Sequence, residues 1–217
     1  MMKKTSGYAQ IYATLLPHLA NCDIAESAAR LGLEFYDGAA RVNFLGREYR
    51  ITHDGAFPAD GPADRPADPA DEPDSINNRS ILLYYILSQG AGQPDYIFFQ
   101  LARLTGMIAG YGQKPHSNGL TTERLVREVS GKVDLLSGAL TQLGGVEQTP
   151  LPGSRSWLLH PLPKIPVKIV YYEADDEFPA DIDILFDSTA PRFMAFECLA
   201  VMGGCLVSAA SEIAFRA

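Results

Sequence analysis

Between Val167 and Asp187 the chain alternates apolar and polar side chains twice, around a link dense in carboxylates. Val167, Ile169 and Tyr171 fall on one side of an extended chain, and Lys168, Val170 and Tyr172 on the other. In the second run Ile182, Ile184 and Phe186 point one way, while Asp181, Asp183 and Leu185 point the other. Successive side chains of a strand face opposite ways, so this pattern predicts two strands that bury one face and keep the other polar. The link carries Glu173, Asp175, Asp176 and Glu177 ahead of Phe178-Pro179. Carboxylates this dense repel one another unless water, a cation or a nearby lysine or arginine offsets them. Prolines 161, 163 and 166 hold an extended entry into the first strand.

The rest of the chain supplies helices and a second β region. Tyr8, Ile11, Tyr12, Leu15, Leu16 and Leu19 recur at the spacing of one helical face. Asp23-x-x-Glu26 reads as a capping box and Gly32 as the terminator of a short helix. Asp37-Gly38 is a hairpin signal, and the alternation of Ala40, Val42, Phe44, Tyr49 and Ile51 around it predicts a three-stranded meander. Ile76 to Gln89 is apolar on all sides, as a central helix would be. Tyr96 to Leu101 is strand-like. Leu125, Val129, Val133, Leu136, Leu140 and Leu143 predict one amphipathic helix capped by Thr121 or Thr122. Trp157 to Leu159 reads as a strand. Pro191 suits the first turn of a C-terminal helix. The fold class expected is α+β: an antiparallel or mixed sheet packed with several helices, in a single domain. Pro-Ala-Asp recurs through residues 58–74, which predicts a flexible or polyproline-like loop there.

Composition excludes several functions. The chain has 217 residues, a formal net charge of -8 and no lysine- or arginine-rich run. That balance argues against nucleic acid and anionic membranes as partners. The three cysteines, Cys22, Cys198 and Cys205, form no C-x-x-C pair, and an odd number suits a reducing compartment. Met1-Met2-Lys3-Lys4 and Leu19-Ala20-Asn21-Cys22 suggest a lipoprotein signal, but Gln10, Thr14, Pro17 and His18 interrupt the apolar stretch it needs. No stretch reads as a membrane span, so the protein is expected in the cytoplasm. Glycines 106, 110, 112 and 119 punctuate a connection containing Lys114, without the Gly-Lys-Ser/Thr of a phosphate loop.

The chemistry-bearing candidates cluster around the acidic link. Glu177 and Phe178, Asp183, Asp187, Lys168, Tyr172 and Tyr111 are the candidate ligand-binding residues. Asp175 and Asp176 read as solvated turn residues, and Asp187 as a cap or turn former. Glu197 is placed to pair with Lys168 or Arg192. Glu177, Asp183 and Asp187 also form a weak candidate set for a hard divalent cation, which would suit magnesium, calcium or manganese. The histidines show no metal spacing, and no Gly-x-Ser-x-Gly elbow occurs. No cofactor is expected.

Leu162-Pro-Lys-Ile-Pro, Ile169-Val-Tyr-Tyr, Asp176-Glu-Phe-Pro-Ala, Ile184-Leu-Phe-Asp and Glu197 together resemble an uncharacterised prokaryotic family, number 3786 among the domains of unknown function. Ile81-Leu-Leu-Tyr-Tyr-Ile-Leu and Tyr96-Ile-Phe-Phe resemble that family's central helix and following strand. The resemblance spans about residues 8 to 214. It implies a cytoplasmic protein of anaerobic metabolism and assigns no reaction. Some members carry an N-terminal cysteine cluster that this chain lacks.

The leading expectation is therefore an accessory factor that binds a small molecule or a protein. Its pocket mouth would lie between residues 106–119 and 173–181, with Tyr84, Tyr85, Tyr111, Tyr171 and Tyr172 as lining. The alternatives are a metal-dependent enzyme built on the carboxylates of 173–187, and a structural module or homo-oligomer. In the last, Ala200, Gly203 and Gly204 would let a partner helix approach.

Overall fold

The computed structural model describes residues 7–60, 73–104 and 122–216. The chain is α+β, with two antiparallel sheets, and it packs as two compact units. The first comprises Met1–Gly92 and Arg192–Met194, the second Gln93–Pro191 and Ala195–Ala217.

In the first unit, helices α1 (Gly7–Ala20), α2 (Ile24–Leu31) and α3 (Pro73–Leu87) accompany a sheet of β1 (Glu34–Tyr36), β2 (Ala39–Phe44), β3 (Arg47–Thr52) and β4 (Gly55–Pro58). The capping box is real: Asp23 accepts the Glu26 backbone N–H at 2.9 Å. Gly32 sits at φ 75 and Leu33 N–H reaches back to the Ala28 carbonyl at 2.8 Å, which closes α2 as expected. Tyr12, Leu15 and Leu19 are the buried stripe of α1. The predicted three-stranded meander has a fourth strand. His53-Asp54 turns the chain, and Gly55 (φ 142) opens β4 opposite Thr52 of β3. This strand is short and runs into the proline-rich stretch, so alternation was too brief to reveal it. Pro58 ends β4, and Pro73 and Asp74 are already helical. The expected loop of 58–74 is thus shorter at both ends, and its middle lies outside the described residues. In α3, Ile81, Leu82, Leu83, Tyr85 and Ile86 are all at or below 2% exposure, the central helix that the all-round apolar pattern required.

The second unit is built on a five-stranded sheet in the order β5 (Phe98–Gln100), β9 (Asp181–Asp187), β8 (Ile165–Tyr172), β7 (Ser154–Leu162) and β6 (Val146–Glu147). Trp157, Leu159, Val167, Ile169, Tyr171, Ile182, Ile184 and Phe186 bury its inner face. Helices α4 (Leu101–Leu104), α5 (Glu123–Val129), α6 (Val133–Gln142) and α7 (Phe196–Arg216) complete this unit. The amphipathic run predicted as one helix is two. Ser130 leaves helical backbone at ψ 124 and Gly131 takes φ 69, so the chain breaks between α5 and α6 while Leu125, Val129, Leu136 and Leu140 stay buried. Thr122 makes no side-chain cap. Pro191 lies in a 3-10 turn (Ala190–Arg192), and α7 begins only at Phe196, so the proline precedes that helix instead of opening it. With 21 residues and a window of mean hydropathy 1.8, α7 is long and apolar enough to cross a membrane, which corrects the reading that no stretch is. It carries the buried residues Leu199, Met202, Leu206 and Ala210 against the unit's core.

Candidate functional site

The outer face of the five-stranded sheet is set by register. Val170 pairs with Asp183, Tyr172 with Asp181, and Lys168 with Leu185, while Gln100 on β5 also faces Leu185. Directly opposite residues share a face, so Gln100, Lys168, Tyr172, Asp181 and Asp183 project together. Alternation in β8 and β9 predicted this face for all but Gln100.

Three of these side chains are joined. The Gln100 amide donates to Asp183 Oδ1 at 3.2 Å, and the Tyr172 hydroxyl donates to Asp183 Oδ2 at 3.5 Å. Asp183 thus bridges β5 and β8 from the strand between them. Partial burial raises the Tyr172 phenol above its ordinary pKa, followed by the negative charge of Asp183, its hydrogen bond and the charge of Asp181. The ring remains 41% exposed, so the set is reachable from solvent. Lys168 is half-buried on the same face and makes no ion pair among the described residues.

Four residues further along β9, about 13 Å away, lies Asp187. It is fully buried and accepts three hydrogen bonds, from Tyr96 N–H (2.6 Å), Thr189 N–H (2.9 Å) and Thr189 Oγ1 (2.6 Å). Its place as a ligand-binding candidate is corrected: the protein itself saturates the carboxylate, as the turn-forming alternative required. Tyr96 is held there at φ 59, a conformation unusual for a side-chain-bearing residue, and its exposed ring meets Phe98 and His160 edge-on.

The acidic link is organised from within. Asp175 accepts the backbone N–H of Glu177 and of Phe178 at 2.9 and 2.7 Å, and these bonds hold its carboxyl below its usual range. Glu177 and Phe178 are exposed, Phe178 at 66%. Among the described residues no three His, Cys, Asp or Glu side chains are placed to hold a metal, and Glu177, Asp183 and Asp187 are not brought together. Glu197 is exposed in the first turn of α7. Tyr111 lies outside the described residues, as does the 106–119 segment. Of the other tyrosines, Tyr85 and Tyr171 are core residues.

A cleft of about 530 Å³ in the first unit escaped the sequence reading. His18, Cys22, Asp23, Glu26, Ser27 and Arg30 line it. Arg30 donates to Ser27 Oγ (3.2 Å) and to the Gly90 carbonyl (2.8 Å), and Cys22 Sγ lies 3.5 Å from Ser27 Oγ. The spacing of Ser27 and Arg30 on one face of a capped helix was the available signal. Cys198 is buried, and burial pushes its thiol up to about 11.

The fold and this open polar face define an α+β protein with a tyrosine–carboxylate–amide set on an antiparallel sheet. The chain matches the family model of a domain of unknown function, DUF3786, over residues 23–209, and it belongs to that family. No curated protein and no solved structure matches it.

Proposed function

We propose that this is a cytoplasmic binding protein, an accessory factor whose ligand docks on the outer face of the five-stranded sheet at Tyr172, Asp183 and Gln100. The observation that carries the reading is the linked set itself. A half-exposed tyrosine and an amide from two different strands converge on one carboxylate, with Asp181 and Lys168 alongside. Such a surface offers acceptors, donors and an aromatic plane at fixed spacing, which is how polar small molecules are oriented. Its two carboxylates favour a ligand that bears an amine or guanidine group. The three free cysteines fit a reducing compartment. The setting in anaerobic metabolism rests on the family resemblance alone.

The test is thermal unfolding of the full chain against a panel of small amines and guanidines at fixed ionic strength. A saturable rise in Tm that disappears in Asp183→Asn, with the variant's own Tm little changed, is the expected outcome. A panel that stabilises both proteins equally, or neither, rejects the site.

A further inference from the structure

The cleft of about 530 Å³ lined from α1, α2 and the end of α3 lies wholly within the first unit. Glu26 and Arg30 both line it from α2. They are four residues apart with the acid first, the order that favours an ion pair along a helix. That pair does not form. The Arg30 guanidinium is drawn aside, one Nη donating to the Gly90 carbonyl at 2.8 Å and the other to Ser27 Oγ at 3.2 Å. Ser27 is only 5% exposed, so this anchor is held from inside the fold. A guanidinium carries five N–H donors, and two are engaged here. The Arg30 Nε–H makes no hydrogen bond among the described residues and is not buried. The Glu26 carboxylate is exposed and is likewise unpaired among the described residues. Beside it, Asp23 spends one oxygen on the Glu26 backbone N–H at 2.9 Å and keeps the other. Leu15 and Leu87 add apolar surface to the same cleft. One cavity thus holds charges of both signs, and the protein keeps them apart.

We infer that this cleft binds a small zwitterion of dipeptide size, its ammonium at Glu26 and Asp23 and its carboxylate at Arg30. The volume lies within the range of about 300–1,000 Å³ typical of small-molecule pockets, more than one amino acid fills. Four residues of helix rise about 6 Å. The two charges therefore stand farther apart than those of one amino acid, and a ligand one residue longer spans them. The unused N–H groups of Arg30 suit a carboxylate, and the two carboxylates suit an ammonium. Leu15 and Leu87 give an apolar side chain a surface to pack on. A ligand with a single charge satisfies only one end of the cleft. This site shares no residue with the Tyr172 face and does not depend on it.

The experiment titrates glycyl-leucine into the isotope-labelled full chain at fixed ionic strength and follows the backbone amide resonances of residues 21–30. They should shift together and saturate as a single site. N-acetylglycyl-leucine lacks the ammonium and glycyl-leucinamide lacks the carboxylate. Each should bind weaker by about fivefold, the upper range for an ion pair that solvent reaches. Glu26→Gln should weaken glycyl-leucine by the same factor and leave N-acetylglycyl-leucine unchanged, because the ammonium it would meet is already gone. Only the backbone of Glu26 serves the Asp23 cap, so this variant should keep the wild-type Tm. Asp183→Asn should bind glycyl-leucine as the wild type does, which separates this cleft from the Tyr172 face. The assignment is overturned by the absence of saturable shifts, by equal affinity for the three peptides, or by affinity lost in Asp183→Asn and kept in Glu26→Gln.

Discussion

At the residue scale, the carboxylates of the 173–187 region do three different jobs. Asp175 ties a turn by accepting two backbone N–H groups. Asp187 is sealed into the fold by three donors. Asp183 remains half-exposed between a tyrosine and an amide. Alternation alone placed Asp183 on the open face, because period-2 patterning says which side of a sheet a residue takes. It could not separate Asp187 from Asp183, since both fall on the same side of β9. What separates them is Tyr96, some ninety positions earlier in the chain, and no local pattern carries that contact. Two expectations follow. Asp187→Ala leaves buried donors unpaired and should cost about 3 kcal/mol, read as a lowered midpoint in urea unfolding. Asp183→Asn removes a charge and a charged acceptor from beside the Tyr172 hydroxyl. It should lower the Tyr172 pKa toward the ordinary tyrosine value, seen in the ultraviolet difference titration against Tyr172→Phe.

At the element scale, the strands with long alternating runs were readable, and the short or interrupted elements were not. β8 and β9 follow the expected alternation except at Val170 and Asp187, which are buried on the side expected to stay open. β4 and β6 are too short to show a period. The stripe of residues 125–143 kept its helical spacing across a break because both helices bury their apolar sides. Periodicity therefore outweighed the Ser130-Gly131 signal that ends α5. Leu162-Pro-Lys-Ile-Pro proves to be a hairpin turn: Leu162, Ile165 and Pro166 are buried, and Lys164 Nζ donates to Gln93 at 2.7 Å. Its family character thus reflects folding of the β7–β8 hairpin.

The short strand β6 is fastened by Arg155. Its guanidinium binds both oxygens of Glu147 (2.7 and 2.9 Å) and Asp134 of α6 at 3.0 Å. The arginine holds the Glu147 carboxyl below its usual range. A carboxyl with a lowered folded pKa contributes stability above its unfolded pKa, and loses it as pH falls through the folded value. Arg155→Gln should therefore cost about 1 kcal/mol at neutral pH and progressively less in acid, checked by urea midpoints at several pH values.

At the scale of the whole molecule, one family domain covers residues 23–209 and takes in both compact units. Family membership was legible because most of its motifs lie in the best-patterned stretch, residues 162–187. The Gln100 contact with Asp183 was not, because it arises from the pairing of β5 with β9. The central claim is that the Tyr172–Asp183–Gln100 face holds a ligand. Native mass spectrometry of the gently purified full chain, wild type beside Asp183→Asn, tests it most directly. The expected result is an adduct of one fixed mass on the wild type that is absent from the variant at the same charge states. A bare wild-type chain, or the same adduct at equal abundance on both proteins, would contradict it.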